Sequence, residues 1–99
     1  MVKHIIIWNF KEEYTTEQKS EFAKKIKSVL EALVGVVDGL TELKVITNPL
    51  DSSNGDLMLD STLTSMEALK GYQVHPAHVA AATFVRSVMG QRKCMDYEI

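Results

Sequence analysis

Ninety-nine residues, 45% apolar and 24% charged, with a net charge of −2, make one small domain over residues 1–99 that can bury a core of its own. With no basic block and no Lys/Arg stripe interleaved with aromatics, nucleic acid is not an expected partner, and the longest apolar runs fall far short of a bilayer span, so no membrane partner is expected either. The opening Met1-Val-Lys-His-Ile-Ile-Ile-Trp8 lacks the core length and cleavage site of a signal peptide, and Cys94 has no second cysteine to pair with, so a cytoplasmic location is expected.

Residues 2–10, with Ile5, Ile6, Ile7, Trp8 and Phe10, are β-branched and aromatic and predict a strand covered on both faces, at home in the middle of a sheet. Thr15 followed by Gln18 reads as a capping box, and Phe22, Ile26, Val29, Leu30 and Leu33 then recur at helical period until Gly35. The opposite face of that helix carries Lys19, Glu21, Lys24, Lys25, Lys27 and Glu31, a mixed-sign run that suits solvent. Asp38-Gly39 turns into a strand from about Leu40 to Thr47, ended by Asn48-Pro49, and the polar stretch 48–55 predicts a mobile surface loop. A third strand is expected over Asp56–Leu63. Thr64 with Glu67 repeats the capping-box pattern and predicts a short helix stopped near Gly71.

The segment Tyr72-Gln-Val-His75-Pro76-Ala-His78 gathers a phenol and two imidazoles around a proline fit to open a helix. His78 shares a helical face with Ala81, Ala82, Val85 and Met89, so it points inward. An inward imidazole either finds hydrogen-bond partners or loses its charged form, and both outcomes bear on proton transfer. The alternatives are a histidine and tyrosine that only satisfy each other at a helix start, or His75 and His78 as metal ligands. The second lacks a further Cys/His pair to complete a tetrahedral site, so no metal is expected, and no cofactor. The Pro76 helix should run to Met89 with Gly90 as its terminator, and Lys93–Ile99 should close the chain as a strand with Met95, Tyr97 and Ile99 on one face. Cys94 reads as a small buried or strand residue in preference to a nucleophile.

The order βαββααβ predicts an α+β, ferredoxin-like fold, with a four-stranded antiparallel sheet carrying its helices on one face. Strands apolar on both sides leave the other face to be covered, and the simplest cover is a second copy. A homodimer is expected, its two sheets packed face to face as an α+β barrel. In this topology the first strand runs against the last, which sets His4 opposite or diagonal to Asp96. His4, Ile6 and Trp8 share one side of the first strand, and Leu57, Leu59, Ser61 and Leu63 one side of the third. If these sides face the helices, Tyr72 and His78 overhang them and enclose a small, mostly apolar pocket. A filled core in which the polar atoms satisfy one another is the competing expectation.

Val2-Lys3-His4, Tyr72-x-x-His75-Pro76-x-His78 and Asp96-Tyr97 together resemble the stress-responsive A/B barrel (Dabb) family, over the whole chain. The resemblance implies a dimeric α+β barrel of ferredoxin-like subunits, in a family that holds plant boiling-stable proteins forming larger rings, bacterial members without assigned activity and a plant polyketide cyclase. By that resemblance His78 would be the general base and Tyr72 the donor to a carbonyl oxygen in an aldol-type ring closure, with His4 and Asp96 as pocket residues. Ala23 and Ile26 stand where the cyclase lines its pocket with aromatics, and Ser61 and Met66 where it uses valines, which implies a different or smaller ligand. The expected function is the binding of a small carbonyl-bearing or aromatic molecule, with Tyr72 and His78 as catalytic candidates and His4, Ile6, Trp8, Leu59, His75 and Asp96 as ligand-binding candidates. A cyclase-like lyase and a non-catalytic stress or assembly protein are the alternatives.

Overall fold

The computed structural model describes residues 1–99 as β1 (Val2–Phe10), α1 (Thr16–Glu31), β2 (Leu40–Ile46), β3 (Leu57–Leu63), α2 (Met66–Val74), α3 (Pro76–Val88) and β4 (Met89–Glu98). The strands form one antiparallel sheet in the order β2-β3-β1-β4, the ferredoxin-like α+β arrangement expected. β1 lies between β3 and β4, where both of its edges are hydrogen-bonded. His4 sits opposite Asp96 on one side and Ser61 on the other.

Alternation along the strands divides the sheet into two unlike faces. Val2, His4, Ile6 and Trp8 of β1, with Leu57, Leu59, Ser61 and Leu63 of β3, are buried beneath the helices. They pack with Ile26 and Leu30 of α1, Leu69 and Tyr72 of α2, and Val85 of α3. Leu59 is 1% exposed and Leu63 0%, so truncating either to alanine would cost about 2–5 kcal/mol in lost burial and cavity. On the other face Ile7, Ile46, Met95 and Tyr97 stand exposed, beside a Lys3–Asp60 ion pair at 3.0 Å. That face carries no helix.

Helix α1 starts where its sequence places it. Thr15 Oγ1 accepts from the Gln18 N–H at 3.2 Å while the Gln18 side chain accepts from the Thr15 N–H at 2.9 Å. It ends at Glu31 instead of running to Gly35, and turns carry the chain from there to Gly39. Glu31 accepts from the Val45 N–H at 3.0 Å and from Lys27 at 2.7 Å, which ties the helix end to β2.

Several local signals give way to tertiary pairing. The cap of α2 is Ser65, not Thr64, so Glu67 falls one place early for a reciprocal bond; the Thr64 N–H is already donated to the Gly39 carbonyl at 2.9 Å. Gly71 does not stop α2, which continues to Val74. Gly90 does not terminate α3 either. Met89 adopts φ −95 and ψ 139 and enters β4 directly, paired with Phe10, so the last strand begins four residues before the expected Lys93. The 48–55 loop is pinned at its far end: Asn9 donates to the Asn54 carbonyl at 2.7 Å and the Phe10 N–H to Asp56 at 2.9 Å.

Two glycines hold left-handed backbone, Gly35 at φ +88 and Gly39 at φ +84. They differ in surroundings. A Cβ on Gly35 meets nothing within 4 Å, whereas one on Gly39 would lie 2.6 Å from Ala68 Cβ and 3.0 Å from Thr64 Oγ1. Gly35→Ala should therefore cost about 1–2 kcal/mol, the backbone strain alone. Gly39→Ala should lose more than that in urea denaturation, because α2 must move away from the turn; equal losses would show that the clash relaxes freely.

Candidate active site

The site begins at the α2–α3 junction. Proline disfavours helical backbone in the residue before it, so Pro76 holds His75 extended, at φ −63 and ψ 132. His75 then serves both helices: its N–H is donated to the Tyr72 carbonyl at 3.2 Å, and its Nδ1 accepts from the Ala77 N–H at 3.1 Å. The Ala77 N–H is the group that would have closed a helical bond on the Gln73 carbonyl had α2 continued. With it taken, the Gln73 oxygen accepts instead from Nδ1 of His78 at 3.1 Å.

That bond fixes the tautomer. A backbone carbonyl only accepts, so Nδ1 of His78 carries the proton and Nε2 keeps its lone pair. Burial pushes the His78 imidazole below its ordinary value of 6.5; the Gln73 carbonyl opposes this, and Arg86, His4 and Arg92 add to it. His78 is thus neutral and basic at Nε2 near neutral pH. Because the unfolded chain takes up this proton more readily, His78 subtracts stability as pH falls below 6.5 and costs nothing above it.

Tyr72 is buried to 1% exposure and its ring lies 4.2 Å from that of His78, tilted by 41°. Its hydroxyl has no partner in the chain, yet no polar side-chain atom is both sealed and unpartnered, so the phenol oxygen keeps some exposure, and Tyr72 lines the pocket beside His78. Burial raises its pKa to about 12, which keeps it a hydrogen-bond donor throughout the physiological range. Here the lone pair of an imidazole and a phenol proton border the same space.

The pocket is small, about 70 Å³, and its lining includes Ile6, Trp8, Leu59, Tyr72, His78 and Val85. Helix α3 presents His78, Ala82, Val85 and Arg86 along one stripe, and β4 reaches the rim with Arg92. Of the residues proposed from the sequence, Ile6, Trp8, Leu59, Tyr72 and His78 come together here. His4, His75 and Asp96 do not line it. His4 stands behind Tyr72, ring centroids 6.0 Å apart, and its Nδ1 lies 2.5 Å from Asp96 Oδ1. His75 is committed to the helix junction as a cap and, by freeing the Gln73 carbonyl, orients His78. Its bond to Ala77 and that of His78 to Gln73 engage both Nδ1 atoms, which ties each ring to the helix junction.

Cys94 is exposed on β4, with Sγ 3.5 Å from Asp96 Oδ1 and 3.8 Å from His4 Nδ1. Desolvation and the nearby carboxylate push its thiol up, away from the thiolate a nucleophile needs. Larger hollows of about 410 and 710 Å³ border the 48–55 loop, but their linings contain no histidine or tyrosine. The residues that sequence reasoning passed over are Arg86 and Arg92. The available signal was positional: Arg86 lies eight residues after His78, hence on the same stripe, and Arg92 shares a strand face with Asp96.

A family model described as the Stress Responsive A/B Barrel Domain matches residues 2–99. The chain belongs to this family. Among curated proteins, olivetolic acid cyclase from Cannabis sativa is 30% identical over 99 residues, covering 97% of this chain and 94% of that one. Among solved structures, a dimeric protein of ferredoxin-like fold from Bacteroides fragilis is 28% identical with a TM-score of 0.92, covering 99% of this chain and 95% of the other. The hydroxynitrile lyase of Passiflora edulis is 16% identical with a TM-score of 0.78 over 99% of this chain and 92% of its own, a likeness of fold alone. No helix of this A/B barrel domain is long and apolar enough to cross a membrane.

Two outcomes test the site's construction. In ¹⁵N-resolved spectra His78 should show a protonated Nδ1 and a bare Nε2 at pH 7, titrating with a midpoint below 6.5; a midpoint above it would contradict the burial argument. His75→Ala should cost about 1 kcal/mol through loss of the cap. His75→Asn, which keeps an acceptor for the Ala77 N–H, should retain most of that stability and the His78 tautomer.

Proposed function

We propose that this A/B barrel protein is a cytoplasmic homodimer that binds a small carbonyl compound between its sheet and α3 and moves a proton at the carbon beside the carbonyl. The observation that carries this reading is the pairing of a free, neutral Nε2 on His78 with an unpartnered Tyr72 hydroxyl, both at a small apolar pocket. In the proposed step the C–H proton passes to Nε2 of His78. The electron pair of that bond moves onto the carbonyl oxygen, and Tyr72 donates a hydrogen bond to the oxyanion so formed. The enolate then either attacks a second carbonyl, whose alkoxide takes the proton back from His78, or is itself reprotonated by His78, so protons and charges balance without an oxidant or reductant. Ring closure is what the name of the cyclase relative states.

Support for the dimer comes from the uncovered sheet face. Ile7 is 42% exposed, Tyr97 44% and Met95 68%, a strip that a second sheet would remove from water. The Bacteroides structure, 28% identical, is described as dimeric. The unpaired Cys94 thiol suits a reducing compartment.

The test is deuterium exchange into the methyl group of acetophenone, followed by proton NMR. The wild-type protein should accelerate exchange; His78→Gln should reduce the acceleration by about 10²–10⁴-fold and Tyr72→Phe by about 10²-fold. Tyr72→Phe should remain fully folded, since its hydroxyl has no protein partner to lose. Acceleration unchanged in both variants would refute the assignment, and variants that unfold would mark the pair as structural. Light scattering should give twice 11.1 kDa for the wild type and one subunit mass for Met95→Asp; ring assemblies heavier than a dimer would favour the assembly protein.

A further inference from the structure

The chain contains two arginines, Arg86 and Arg92, and both border the pocket that holds Tyr72 and His78. They come from different elements, α3 and β4, and reach the same rim. Neither belongs to any of the four ion pairs of the structure, all of which use lysine or histidine. Asp96, the carboxylate on the same strand face as Arg92, is paired with His4. The Cys94 thiol beside Arg92 is only a weak acceptor.

One exposed arginine without a partner needs no explanation. Arg86, in the last turn of α3, also gains from the helix dipole. That gain does not account for Arg92, which crosses from β4 to the same place. Two guanidiniums converging on one small opening repel each other, and the planar fork of each matches a carboxylate. The pocket is small, about 70 Å³, and open at one side, so a ligand that reaches Tyr72 and His78 with one end extends past the arginines with the other.

Building on the proposed function, we infer that the ligand is a short oxo-carboxylate, gripped through its carboxylate by Arg86 and Arg92 at the rim, with its carbonyl directed to Tyr72 and His78. The interior is apolar and neutral, which suits the uncharged carbonyl end. The rim is cationic and solvent-exposed, which suits the charged end. This polarity gives the ligand one orientation.

The experiment is calorimetric titration of the intact protein with levulinate, a stable oxo-carboxylate, and with its methyl ester, which keeps the ketone and lacks the charge. Levulinate should bind at least ten-fold more tightly than the ester, and the margin should shrink as salt is raised. Arg86→Gln and Arg92→Gln should each weaken levulinate about ten-fold and leave the ester unchanged; Arg→Lys at either site should recover part of the loss. Acid and ester binding equally, neither binding, or arginine variants that bind levulinate as the wild type does would overturn the inference. So would inorganic phosphate binding as tightly as levulinate with the same arginine dependence, which would mark a general anion site. His78-dependent exchange of acetophenone reads out separately, so the clamp can fail while the proton-transfer reading stands.

Discussion

The structure depends on β1 being held between β3 and β4. Its residues pair with partners 49 (Trp8 with Leu57) to 96 (Val2 with Glu98) positions away, and the two chain ends meet where the Ile99 N–H is donated to the Met1 carbonyl at 2.9 Å. The sheet side of the site is placed by that arrangement. Ile6 and Trp8 supply part of the pocket floor from β1, Leu59 extends it from β3 and Arg92 completes the rim from β4. Pairings so distant in sequence gain no local stabilisation on the way, so the site has no existence before the sheet closes.

Because all three helices lie on one side, the two faces of the same β1 residues meet different fates. His4, Ile6 and Trp8 enter the core, while Ile7 remains 42% exposed. The buried side tolerates polar atoms only where partners exist. Ser61 meets this condition by donating to the His4 carbonyl at 2.8 Å, and the His4 ring meets it through Asp96. Asp96 thereby supports the wall behind Tyr72 without touching the pocket. The Lys3–Asp60 pair on the opposite face is partly exposed, so it adds little to stability.

Elements defined by local chemistry were legible in the sequence, and those defined by pairing were legible only in part. Thr15 and Gln18 announce the start of α1 because both bonds of the capping box close within three residues. The same pattern at Thr64 and Glu67 misleads, because the Thr64 backbone is already bonded to Gly39 across the fold and the cap shifts to Ser65. Gly90 looks like a terminator, yet the residue before it is captured by Phe10 and the helix passes straight into strand. The His-Pro-x-His segment was legible as chemistry but not in its division of labour. That division rests on which backbone N–H fills the Nδ1 of His75, a matter of the turn's conformation that spacing does not encode. Arg86 and Arg92 were harder still, since their meeting depends on how α3 lies across β4.

The electrostatic order of the site has a consequence for when its base is strong. Burial first, and then the two guanidiniums and His4, hold the His78 imidazole below its ordinary range. In the proposed mode of binding a carboxylate settles between Arg86 and Arg92 and cancels much of their field at His78, which leaves burial as the main opposition to protonation. Nε2 then becomes a better base when the ligand arrives. The oxyanion that forms beside Tyr72 pairs with the new imidazolium, so charge separates across a short distance in a space with little water to screen it. An arginine pair set inside the pocket would instead oppose the imidazolium at close range. At the rim it can orient the ligand and still yield its field once the carboxylate is bound.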